Sequence, residues 1–304
     1  MKTRTLTTDV DIPYLGFGTY LIADDEVAAA VIEAIRAGYR HIDTAEGYGN
    51  EPGVGAGIRQ ALESQGLTRS DLFVTTKLWP GNPAWGQPAK TTESTVASLD
   101  QSLERLGLDY VDLYLIHAPF ERDQRLAQWR GLVELKRQEK ARAIGVSNFS
   151  ITHIEELKAA GLPLPVANQI ELHPWSQKPE LVRYLNDNGI TPIAYSSLVP
   201  LSTWRAAEGQ DSAKTDRMKA DGEQADAPFK VMAAKYGVSE AQVLLRWAIQ
   251  KGYPVLPKST NPGRIRKNAD IFGFGLDDKD MAAIEKMDRG DGIAWAMGDP
   301  TKAP

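Results

Sequence analysis

The 304-residue chain is 42% hydrophobic and 25% charged, enough apolar material for a large buried core, and at this length a single α/β barrel is favoured over two domains. Its formal net charge of −5 argues against a nucleic-acid partner, and with no cysteine and four histidines, His41, His117, His153 and His173, at no ligand spacing, neither disulfides nor a resident metal are expected. The N-terminus lacks the apolar core of a signal peptide and no run is long enough to cross a bilayer, so the expected setting is cytoplasmic, away from membranes.

Residues 1–13 alternate as a short hairpin turning at Thr8-Asp9, placed to plug the floor of a barrel. Thereafter strand and helix patterns alternate. Val27, Val31, Ala34 and Ile35 share one helix face, and Val96, Leu99, Leu103 and Leu106 share another. The runs beginning at Phe73, Val111, Ala143 and Ile190 are apolar on both sides, as buried parallel strands require. Residues 197–227 break this rhythm. From Arg205 to Asp226 the segment is strongly charged and poor in large apolar side chains, which suits a lid-like loop better than a folded unit. Ser239 and Gln242 then open a helix as a capping box, Asn261 and Pro262 open another, and a helix around Met281 and Ile284 precedes a C-terminal loop, 289–304, that carries Trp295. Repeated β-α alternation with no early G-x-G-x-x-G favours a closed (α/β)8 TIM barrel over an open doubly wound sheet, with the hairpin and the extra helices and loops as additions.

Eight strand ends carry residues able to touch a small molecule: Gly18-Thr19-Tyr20, Asp43, Lys77, His117, Ser147-Asn148, Gln169, Tyr195-Ser196 and Lys258-Ser259. In a parallel barrel such ends converge on one face, so the bland reading of each residue as packing or a surface group becomes jointly improbable for the set. Asp43, Tyr48, Lys77 and His117 suit proton delivery to a carbonyl oxygen. Tyr48 would donate the proton, Lys77 would raise its acidity, Asp43 would hold the lysine, and His117 would donate a hydrogen bond to the same oxygen. The hydride must come from a cofactor.

With the segments Gly16-Phe17-Gly18-Thr19-Tyr20, Asp43-x₄-Tyr48, Gly145-Val146-Ser147-Asn148-Phe149 and Pro257-Lys258-Ser259 followed by Arg264, the chain resembles the aldo-keto reductase superfamily over nearly its whole length. The resemblance implies a barrel reductase that holds an extended nicotinamide cofactor, with Asp43, Tyr48, Lys77 and His117 as its catalytic set. It implies that Ser147, Asn148 and Gln169 contact the carboxamide and that Tyr195 stacks on the ring. Lys258, Ser259 and Arg264 would take the 2′-phosphate and Asn268 the adenine; Gly18, Thr19, Tyr20 and Ser196 complete the cofactor groove. NADPH is then preferred and NADH possible. Two positions depart from the family pattern: Ala118 follows His117 where a tryptophan is common, which should widen the pocket, and Lys267 stands where a carboxylate often contacts adenine. Tyr20, Trp79, Trp85, Ala118, Phe120 and Trp295 are the expected pocket wall, with Trp175 as readily a packing residue.

The expected function is an NADPH-dependent reductase of small-molecule aldehydes or ketones, acting as a monomer or weak homo-oligomer. A cofactor-sensing binding protein on the same barrel is the alternative, and an isomerase or lyase without a redox cofactor is the more distant one.

Overall fold

The computed structural model describes residues 2–82, 85–201, 227–290, 292–295 and 298–304. Strands β1 (Thr3–Thr7) and β2 (Val10–Pro13) form the antiparallel hairpin, turning at Thr8-Asp9 as the alternation predicts. Seven parallel strands then alternate with helices in sheet order identical to chain order: β3 (Phe17–Gly18), β4 (His41–Asp43), β5 (Phe73–Leu78), β6 (Val111–Ile116), β7 (Ala141–Ser147), β8 (Ala167–Glu171) and β9 (Thr191–Tyr195). The strand expected to end at Pro257-Lys258-Ser259 is reduced to one bridging residue. Val255 pairs in parallel with both Leu15 and Ala194, which closes the ring between the first and last strands. Its amide donates to Tyr14 O at 2.9 Å and its carbonyl accepts from Gly16 N at 2.8 Å. A longer ladder is blocked because Pro254 and Pro257, on either side, have no N–H to offer.

Period-two alternation sorts the strand side chains. On β6, Leu113 and Leu115 point into the ring and Tyr114 and Ile116 toward the helices. The interior is filled from below by the hairpin, whose Leu6, Val10 and Ile12 pack against Phe73, Leu113, Leu115, Ala143, Ala167, Ile193 and Leu256. The floor is therefore a packed layer and only the opposite, C-terminal face is left for a site. The surrounding helices bury the faces their periodicity marks: Val27, Val31, Ala34 and Ile35 on α1 (Asp24–Arg36) and Leu99, Leu103 and Leu106 on α3 (Thr92–Leu106). Val96 stays at the edge of that packing, half-buried. Gly55 in α2 (Glu51–Gln65) lets that helix close on α3, since a Cβ there would meet Leu106 O at 2.1 Å. The capping box of Ser239 and Gln242 opens the helix Glu240–Gln250, and the Asn261 side chain accepts from Arg264 N at the start of the helix Pro262–Ala269. The expected lid segment, Arg205 to Asp226, lies outside the described residues. Among those that are described, no helix is long and apolar enough to cross a membrane.

Because Ile12 is fully buried in the floor, Ile12→Ala is expected to cost about 2–5 kcal/mol, the usual range for deleting a large aliphatic core side chain. A drop in the urea midpoint with an unchanged m-value would show this; a midpoint within error of the parent protein would mean that the hairpin does not support the barrel.

Candidate active site

Three strand ends and one loop bring the four expected residues together. Asp43 ends β4, Lys77 lies one residue from the end of β5, and His117 follows β6 directly. Tyr48 closes the 3₁₀ turn Glu46–Tyr48, which stops at Gly49 in the left-handed region, φ 68°. That turn is held by Asn50, a buried amide whose Nδ2 donates to Thr19 O and Ile22 O, each at 2.9 Å, while its Oδ1 accepts from Thr44 Oγ1 at 3.0 Å. The sequence reading gives Asn50 no role; the two carbonyls its amide reaches are 28 and 31 residues away in sequence, so no local pattern reveals them.

The Lys77 ammonium is fully buried, donating to Asp43 Oδ1 at 2.6 Å, to Thr44 O at 2.8 Å and to the Tyr48 hydroxyl at 3.4 Å. Gln169, from the far side of the ring, donates through Nε2 to the second Asp43 oxygen at 2.7 Å. Burial pushes the Asp43 carboxyl up and the Lys77 ammonium down from their ordinary values, and each is opposed by the other's charge. Tyr48 differs from expectation. Its hydroxyl is raised well above the ordinary tyrosine value, first by burial and then by the Asp43 carboxylate and Tyr20, so the resting residue is a firmly protonated phenol. The effect of Lys77 is local: its N–H faces the oxygen on which negative charge would collect once the proton leaves. His117 is held well below its ordinary value by burial and by Lys77, hence neutral, and its Nδ1 has no partner among the described residues.

A shell of rings surrounds these groups. Tyr48 and Trp79 both meet His117 edge-on, at centroid distances of 5.5 and 5.6 Å, and Trp295 does so at 6.1 Å. Phe120 bridges Trp79 and Trp295 at 5.9 and 5.7 Å, Trp85 stacks on Trp79 at 5.9 Å, and Tyr20 covers Tyr48 at 5.0 Å. Ala118, expected to widen the pocket, has no exposed surface; the side of His117 is occupied by Trp79 and Trp295 instead. Trp175 takes the packing role, buried with the Arg289 guanidinium 3.7 Å from its ring centre.

The remaining expected residues fall into two groups. At the strand ends, Ser147 Oγ donates to Gln169 O at 2.8 Å, Tyr195 OH donates to Asn148 Oδ1 at 2.7 Å, and Asn148 Nδ2 donates to His117 O at 3.0 Å. Asn148 and Ser196 sit at φ 63° and 55°, sharp left-handed bends that end their strands. Gly18 passes so close to the eighth segment that a Cβ would lie 2.9 Å from Leu256 O, and Thr19 Oγ1 donates to Asp43 O at 3.1 Å. The second group follows Val255. Lys258 and Arg264 are exposed, and Arg264 Nε donates to the buried Ser259 hydroxyl at 3.2 Å. Neither cation has a carboxylate partner among the described residues, and Lys258 is held below its ordinary value by desolvation and by Arg264. Asn268 is buried on the same short helix, and Lys267 is exposed.

The Aldo/keto reductase family model matches residues 14–289. Glyoxal reductase of Bacillus subtilis is 39% identical over 288 residues, covering 94% of this chain and 93% of the relative. Methylglyoxal reductase of Escherichia coli is 38% identical over 280 residues, covering 92% and 90%. The crystal structure of a Bombyx mori aldo-keto reductase in complex with NADP superposes with a TM-score of 0.84 at 36% identity, covering all of this chain and 97% of that one.

Removing one member of the buried ion pair leaves the other uncompensated, so Lys77→Met is expected to destabilise the fold by about 3–5 kcal/mol. In that variant the Asp43 carboxyl is raised in the folded state above its unfolded value. The deficit is therefore smallest below the ordinary carboxylate range, where both states carry the proton, and grows as pH rises through the raised folded value. Urea denaturation of variant and parent between pH 4 and 8 checks this; a deficit that stays flat with pH would contradict it.

Proposed function

The chain belongs to the aldo/keto reductase family, and from that we propose that it is an NADPH-dependent reductase of aldehydes and ketones in which Tyr48 gives the proton. The observation that carries the proposal is the triple contact of Lys77 with Asp43, Thr44 and the Tyr48 hydroxyl at the open face of the barrel. A reduced nicotinamide, when bound, supplies the hydride. The residues fit such a cofactor at its phosphate end. Two neighbouring cations that no described carboxylate balances, beside a buried hydroxyl, repel one another until an anion joins them, which suits the 2′-phosphate of NADPH. Gly18, Thr19, Tyr20, Ser147, Asn148, Gln169, Tyr195, Ser196 and Asn268 would complete the groove, and the relative from Bombyx mori with NADP supports the choice of cofactor.

The chain's own part in the reaction is proton delivery. A carbonyl oxygen gaining negative charge takes the Tyr48 proton, and the phenolate left behind is met by the N–H of Lys77, already oriented by Asp43 and Thr44. His117, neutral, has one N–H to offer the same oxygen. The aromatic shell excludes water and receives the rest of the substrate. Glyoxal and methylglyoxal, which name two relatives, are the first substrates to try.

Tyr48→Phe is expected to lower carbonyl reduction by roughly 10²–10⁴-fold with NADPH affinity nearly unchanged, since only the proton donor is lost. Steady-state turnover together with fluorescence titration of NADPH makes the test, and turnover within a few-fold of the parent would remove Tyr48 from the role. At the other end of the groove, Arg264→Met is expected to weaken NADPH by roughly tenfold or more, the worth of a charge-assisted hydrogen bond, and to leave NADH nearly unaffected. Equal losses for both cofactors in the same titration would make Arg264 purely structural.

A further inference from the structure

Of four consecutive residues in the C-terminal segment, three are tethered directly to barrel strands and the first is tethered through Asp299. Gly292 N donates to Asp299 Oδ2 at 3.1 Å, and Asp299 is itself paired with Lys178. Ile293 N donates to Glu171 Oε1 at 2.7 Å and Ala294 N to Glu171 Oε2 at 2.9 Å. Trp295 Nε1 donates to the Tyr195 hydroxyl at 2.9 Å. Glu171 is the last residue of β8, two beyond Gln169, and its carboxylate is almost fully buried. A third donor fixes it: His173 Nε2 lies 2.8 Å from Oε1, and because His173 Nδ1 accepts from Trp175 N at 3.3 Å, the ring proton sits on Nε2. Gly292 is what lets the chain come this near, since a Cβ there would lie 2.8 Å from Glu171 Oε2 and 3.1 Å from Asp299 Cγ.

We propose that Glu171 is a positioning residue for substrate discrimination: it fixes the two amides that precede Trp295 and so holds the indole across the pocket. Three donors converge on one acceptor-only group, and two of them are the successive amides that set the direction in which the chain enters Trp295. The indole is then pinned a second time, through Tyr195 OH to Asn148 Oδ1, while Asn148 Nδ2 reaches His117 O. The ring that results stands against both His117, which faces the reacting oxygen, and Phe120, so a substrate that extends from its carbonyl toward Phe120 runs along it. An aryl aldehyde has a ring to pack on that indole and a small 2-oxoaldehyde has none, so loosening Glu171 affects the first more than the second. The inference rests on the reductase reading.

Glu171→Gln keeps the size but turns an amide N–H toward a backbone N–H, either Ala294's or Ile293's. With 4-nitrobenzaldehyde and methylglyoxal as substrates, kcat/KM for the aryl aldehyde is expected to fall, through KM, by roughly two- to tenfold more than for methylglyoxal, the worth of one aromatic contact. In a Trp295→Ala background the same substitution should add nothing further to that ratio, because both changes act through one ring. Gly292→Ala, which presses the chain away from the same carboxylate, should reproduce the KM split and stands in if Glu171→Gln does not fold. Equal losses for both aldehydes, or effects that add in the double variant, would overturn the proposal. A parent protein that oxidises NADPH with neither aldehyde would sink the reductase reading separately. Hydrogen exchange then decides the positioning role: faster exchange of the Ile293 and Ala294 amides in Glu171→Gln supports it, and unchanged protection overturns it.

Discussion

A buried ammonium dictates the architecture of this site. Lys77 has no access to solvent, so its charge is tolerable only where oxygens replace every lost water, and three of them do: a carboxylate, a carbonyl and a phenol. Those oxygens come from β4 and the loop after it. Parallel pairing of β4 with β5 sets Asp43 beside Thr75, which leaves Lys77 two residues further toward the open face. A slip of one residue would turn Lys77 toward the helices and leave both charges unpaired. The second Asp43 oxygen extends the constraint across the molecule, because its partner Gln169 stands on β8, 126 residues away in sequence. The pair is complete only in a ring whose strands β4 and β8 face each other. Closure by Val255, filling of the floor by the hairpin and satisfaction of the ion pair are thus parts of one condition.

The aromatic shell follows from the same burial. Rings around Lys77, Tyr48 and His117 keep water from competing for their hydrogen bonds, and they do so without adding charge. The consequence shows in His117 and Tyr48, which burial leaves neutral. A neutral phenol beside an ammonium is a store of one proton whose release creates an attractive pair. For the donor role proposed for Tyr48, the acidity that matters is therefore that of the reacting complex.

Much of this was legible in the sequence, and what was not has a common cause. Helix faces, the capping box at Ser239, the helix start at Asn261 and Pro262, the turn at Thr8-Asp9 and the buried runs at Phe73 and Val111 are local signals, and the structure places each element there. The convergence of Asp43, Lys77 and His117 followed from strand ends, and that of Tyr48 from the loop after one of them. The eighth strand was overestimated because prolines at 254 and 257 limit pairing more than the apolar run suggests. Glu171 gave no signal. An isolated acidic residue in a strand reads as exposed, and its burial is explained by His173 together with the amides of Ile293 and Ala294, the last two more than 120 positions away. Asn50 was hidden for the same reason: its amide reaches the carbonyls of Thr19 and Ile22 in the loop after β3. Pairing across the barrel mouth has no periodicity to read.

The two ends of the groove are energetically unlike. At the strand-end side the polar groups are already bonded to one another, Tyr195 to Asn148, Ser147 to the Gln169 carbonyl, and Gln169 to Asp43. A ligand arriving there exchanges hydrogen bonds, and exchange contributes little net free energy, though it fixes orientation well. Lys258 and Arg264 offer charge that no described carboxylate balances, so an anion binding between them relieves repulsion as well as forming new bonds. Affinity for a phosphorylated dinucleotide would then come from the end remote from the chemistry, while the end that performs it supplies geometry. Binding energy gained far from the reacting atoms can be used to hold them in place, which is the division of labour that raises turnover without over-stabilising the bound substrate.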